Sequence, residues 1–177
     1  MRMAFLLPLC CAIALPAQAQ SGISGITSFM PSYPAEPITG YGIDNFRSPA
    51  ARGPAADMQK AQALVAAGRY AEADPLLSSL MGKTSSKQVR FLKGVTKLGL
   101  GDAAAARRYF EKSLYRGRNG NPGAMSGLAL AEIRLGNADA ANDLLRKLRY
   151  QQDVCADNCD RANALEQAVT VVEKALI

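Results

Sequence analysis

Three glycines place the tightest constraint on this chain: Gly68, Gly101 and Gly136 stand 33 and 35 residues apart, each within the same local text. The stretches are AAGRYAEADPLLSSL from Ala66, GLGDAAAARRYFEKSL from Gly99 and IRLGNADAANDLLRKL from Ile133. A polar or basic residue follows each glycine (Arg69, Asp102, Asn137). Five residues after it comes a small one (Ala73, Ala106, Ala141), and nine after it a large apolar one (Leu77, Phe110, Leu145). Alanine is the strongest helix former, so a helix is predicted after each turn, and another before it, beginning near Pro54, Lys87 and Pro122. Glycine closes the first helix of each pair because it adopts the left-handed backbone without penalty, and the alanine lets the second helix come close. Units of this length cannot bury an apolar face alone and must stack. The expectation is an all-α fold.

The period and the pattern resemble the tetratricopeptide repeat (TPR), a helix-turn-helix of about 34 residues. The resemblance runs from residue 54 to about 150, and LALAEIRLGNADAA, in the third unit, carries it best. Departures are the absence of tryptophan near each repeat's start, the absence of proline at the end of the second helices, and an additional Pro75, tolerable in a helix only in its first turn. The resemblance implies a short right-handed α-solenoid of about three repeats whose first helices line a concave groove. Ala106 is then a close-packing residue and Phe110 a large side chain reaching back between helices. A last segment, DRANALEQAVTVVEKALI from Asp160, sets Leu165, Val169, Val172 and Leu176 on one stripe of a helix. It suits the capping helix that such an array needs, expected over 160–176 within a repeat domain of 54–177.

The N-terminus, MRMAFLLPLCCAIALPAQAQ, has one basic residue, an apolar run from Met3 to Leu15 and the small-x-small triplet Ala17-Gln18-Ala19. This is the form of a secretory signal peptide, with cleavage expected between Ala19 and Gln20. The run is shorter than the roughly 20 residues of a spanning helix. Export, to the periplasm, is therefore expected, with no transmembrane segment in the mature chain. Residues 20–53 are rich in Gly, Ser and Pro and have no helical period, so they read as a disordered, flexible tail. Its aromatics, Phe29, Tyr33, Tyr41 and Phe46, would suit weak docking onto the domain or onto a partner.

Histidine is absent from all 177 residues. That removes imidazole acid-base catalysis, Ser-His-Asp and Cys-His nucleophile pairs and His-containing zinc sites. With no catalytic constellation left, no enzyme activity, cofactor or resident metal is expected. MGKT at Met81–Thr84 looks like the end of a phosphate loop, but the glycine required five residues before Gly82 is Leu77. Cys155 and Cys159, four apart, fit a structural disulfide in an oxidising compartment. The alternative is a thiol or soft-metal function, such as Cu(I) binding, that would need further ligands.

Charge is the strongest functional signal. Between Lys83 and Arg118 ten basic residues face two acidic ones, in a chain of formal charge +6. Lys87, Arg90, Lys93 and Lys97 fall on one arc of a helix, with Phe91, Val95 and Leu98 opposite. Counting back from Gly101 would turn Arg90, Lys93 and Lys97 inward, where unpaired charge is prohibitive. The expectation is a helix rotated by about one position, with the basic stripe exposed on the groove. Such a stripe would bind an acidic protein or peptide partner rather than nucleic acid. The leading expectation is a non-catalytic protein-binding scaffold or adaptor in the cell envelope. The alternatives are the thiol or metal function and an assembly factor for an envelope machine such as a pilus or secretion apparatus. Oligomeric state is not written in the sequence.

Overall fold

Each turn glycine has a positive φ: +71° at Gly68, +83° at Gly101 and +80° at Gly136. In every case the glycine N–H donates to the carbonyl three residues back (Val65, Leu98, Ile133), at 3.0 to 3.1 Å. The next N–H donates to the carbonyl five back (Leu64, Lys97, Glu132), at 2.8 to 2.9 Å. These are the two bonds of a Schellman helix end, formed identically three times.

The computed structural model describes residues 53–114, 120–155 and 159–177. The expected signal peptide and nearly all of the expected tail lie outside the described residues, as do Arg116 and Arg118. The described residues form seven α-helices and no strand: α1 Pro54–Ala66, α2 Tyr70–Lys83, α3 Lys87–Gly99, α4 Ala103–Ser113, α5 Pro122–Arg134, α6 Ala138–Cys155 and α7 Ala162–Leu176. Proline at the first position starts α1 and α5, where its missing N–H costs nothing. Asp102 caps α4 by accepting the Ala105 N–H at 3.0 Å, and Asn121 caps α5 through the Gly123 N–H at 3.0 Å. No helix among the described residues is long and apolar enough to cross a membrane.

Every helix packs on its neighbours in sequence, and α1 with α3, α3 with α5, and α5 with α7 also touch. Two apolar cores result. One gathers side chains from α1 to α5, centred on Leu77, Leu92, Leu98 and Phe110. The other joins Met125 and Ala129 of α5 to Leu145 and Leu148 of α6 and Leu165, Val169 and Val172 of α7. Helix α5 belongs to both and is buried on every face from Pro122 to Glu132. Its composition allows this, since only Glu132 of those residues carries a charge.

Phe110 is fully buried and packs its ring against Phe91, centroids 6.0 Å apart and tilted by 56°. The ring occupies a slot left by two glycines: a methyl group on Gly94 of α3 would lie 2.8 Å from it, and one on Gly127 of α5 2.5 Å from it. Gly99 makes similar room for the Tyr70 ring.

Pro75 corrects one expectation. It is the sixth residue of α2, past the first turn. Helix α2 buries Ala73, Leu77 and Leu80 and presents Pro75 and Ala71 outward. The carbonyl that loses its N–H partner, four residues before the proline, belongs to Ala71, an exposed residue. An outward position makes the proline tolerable here.

Candidate functional site

The four basic residues of α3 do not form an exposed stripe. Lys93 is 3% exposed, which corrects the expectation of an exposed stripe at this residue, while Phe91, Val95 and Leu98 pack inward as the rotated register expects and Arg90 and Lys97 are half-buried. Burial is made affordable by partners on α2. The Lys93 ammonium lies 2.9 Å from Asp74 Oδ1 and donates to the Asp74 carbonyl at 2.8 Å and to Ser78 Oγ at 2.6 Å. All three ammonium hydrogens thus have an acceptor within reach.

Lys97, one turn on and half-buried, donates to Asp74 Oδ2 at 3.2 Å and lies 3.1 Å from Oδ1. Oδ1 is buried and meets both ammonium groups by proximity rather than by aligned hydrogen bonds. Burial alone would push the Asp74 carboxyl up, but the bonds and attraction of Lys93 and Lys97 outweigh it and hold the group below the usual carboxylate range.

The other two members also serve the fold. Arg90, half-buried, donates to the Ser85 carbonyl at 2.8 Å. Lys87 donates to the Leu114 carbonyl at 3.2 Å, tying the start of α3 to the end of α4. Phe91, Val95 and Leu98 are buried on the opposite arc, so α3 is fully packed on its apolar side and partly covered on its basic one. Two lysines against one aspartate leave the α2–α3 contact net positive, with half-exposed Lys87 and Arg90 extending that charge toward the start of α3.

The repeat positions fall together in the cores. Ala73, Ala106 and Ala141 are each fully buried, as are Leu77 and Phe110, and Leu145 is 5% exposed. Partners that sequence reasoning missed join distant segments. Glu132, 6% exposed, accepts Asn137 Nδ2 at 2.7 Å and lies 3.0 Å from Arg107 Nε of α4. Arg134 of α5 donates to the Leu98 carbonyl at 2.6 Å, placing a cation at the negative end of α3. Their spacing in sequence, from 5 residues for Glu132 and Asn137 to 36 for Leu98 and Arg134, offers little pattern to find them by.

The MGKT stretch lies at the C-terminus of α2, where the helix dipole repels phosphate. Lys83 lies 3.7 Å from Asp57. Cys155 and Cys159 are joined as a disulfide, Cα atoms 5.6 Å apart, between α6 and α7. Among the described residues no group of three or more His, Cys, Asp or Glu could hold a metal ion. No protein-family model, curated protein or solved structure matches this chain.

Proposed function

We propose that this protein is an exported, non-catalytic scaffold that binds a protein or peptide in the cell envelope, built as a short right-handed solenoid of three TPR-like repeats. Helices α1, α3 and α5 would line its groove and α7 would cap its last repeat. The observation that carries this reading is the threefold recurrence of one turn, with the same two hydrogen bonds and the same left-handed glycine, at intervals of 33 and 35 residues. Stacked units of that kind present extended surfaces rather than catalytic pockets.

An acidic partner is favoured by the positive charge at the start of α3. Lys93 is buried against Asp74, so in this reading the partner meets the charge at half-exposed Lys87 and Arg90, whose bonds to the Leu114 and Ser85 carbonyls leave their positive charge unneutralised by those neutral oxygens. Crosslinking in the native envelope followed by mass spectrometry identifies the partner. Binding is expected to weaken as salt rises, because exposed charges are screened over about 8 Å at physiological ionic strength. The K87Q/R90Q protein should remain folded and associate more slowly, as rim charges act chiefly on the association rate. Binding indifferent to both salt and K87Q/R90Q would overturn the acidic-partner reading.

A further inference from the structure

Helix α6 has 18 residues, against 14 in α2 and 11 in α4, and its final turns run on beyond the buried Leu148. Tyr150 and Val154, four residues apart and so on one face, are 64% and 69% exposed there. The Cys155–Cys159 bridge joins the end of α6 to the approach to α7, where Arg161, the N-cap residue, and Leu165 line the same depression. These residues and Gln151 line an open cavity of about 310 Å³ at the surface. That is at the lower end of the range for small-molecule sites.

The lining has a definite chemistry. Leu165, 1% exposed, forms an apolar floor, and Val154, the Tyr150 ring and the disulfide form apolar walls. Among the described lining residues the cation is Arg161. It donates to the Gly120 carbonyl and, at 3.3 Å, to Gln151 Oε1, both neutral oxygens. Among the described residues no carboxylate pairs with it. Gln151 is itself fixed by a 3.4 Å contact from its amide to the Met125 sulfur. A guanidinium has five N–H donors and binds carboxylates more strongly than neutral acceptors. Held in position beside apolar walls with donors to spare, Arg161 is matched by an anion that has an apolar body.

We infer that this cavity is a binding site for a small amphipathic carboxylate, such as a medium-chain fatty acid, with the hydrocarbon against Tyr150, Val154, Leu165 and the disulfide and the carboxylate on Arg161. The site is independent of the groove proposed above. The test is titration of the ¹⁵N-labelled protein with decanoate below its micelle threshold, with decanol as the uncharged counterpart. Saturable amide shifts are expected at the C-terminal turns of α6 and the start of α7, with decanol weaker by about tenfold, the scale of a charge-assisted hydrogen bond. R161Q should make the two ligands equal, and V154D, a change at an exposed position, should weaken decanoate by about tenfold or more. R108Q, which removes an exposed cation on α4, should leave the affinity unchanged. Absence of saturable shifts, equal binding of decanol by the wild type, or an R108Q effect as large as that of R161Q would each overturn the assignment.

Discussion

An alanine at Gly127 would set its methyl group 2.5 Å from the Phe110 ring, with α3 close on the ring's other side at Gly94. G127A is therefore expected to destabilise the protein by about 1–3 kcal/mol, the usual cost of an overfilled core. Adding F110L should recover part of that loss, because the smaller side chain vacates the contested space. Urea denaturation of the two single variants and the double variant measures the coupling, and strict additivity would show that the slot is not what the glycine serves. Asp74 gives a second expectation at this scale, on acid stability. Its carboxyl is held below the ordinary value, so its contribution is present above an unfolded pKa of about 3.9 and is lost as pH falls through the folded value. D74N should cost about 1.5–3 kcal/mol at pH 7, the worth of hydrogen bonds to charged groups. Urea midpoints taken from pH 7 to pH 2 should then fall less steeply for D74N than for the wild type. Equal slopes would show that the lysines are held by something other than this charge.

Among the elements, the same substitution is expected to act in opposite directions at two glycines. Gly101 closes α3 at φ +83°, where any side chain meets its own backbone, so G101A should cost about 1–2 kcal/mol. Gly82 lies within α2 with open space around it, and G82A should stabilise by about 0.5–1 kcal/mol by restricting the unfolded chain. Thermal melts of the pair check both signs. Much of this level was legible in the sequence: α1, α3 and α5 begin at Pro54, Lys87 and Pro122, and the turns sit on the three glycines. Turns and helix starts are local chemistry, written within a few residues. The facing of α3 was less legible, because the rule that places lysine outside holds only for an unpaired ammonium. The partner that brings Lys93 inside is Asp74, 19 residues earlier on another helix, and no periodicity links the two. Pro75 was misjudged for a related reason. Its tolerance depends on which face of α2 meets a neighbour, which is settled by packing rather than by its place in the helix.

At the scale of the whole molecule, α5 is the member common to both cores, and α7 closes the second. L165A, which empties a buried site in the second core alone, is expected to cost about 2–5 kcal/mol. Hydrogen exchange should quicken most in α6 and α7 while α2 to α4 keep their protection, since contact-rich segments open as separate units. Uniform loss of protection along the chain would mean that the cores melt as one.

The Phe110 slot also restricts how such a chain can lengthen over evolutionary time. Placing α5 over α3 by their first residues, Pro122 and Lys87, aligns Gly127 with Leu92. A tandem duplication of the middle unit would bring a leucine to the spot where the phenylalanine ring now finds no side chain. The three turns are interchangeable, but the surfaces between units are not. Their order is fixed by fit, and growth by copying the middle unit is blocked unless a glycine arises with the copy.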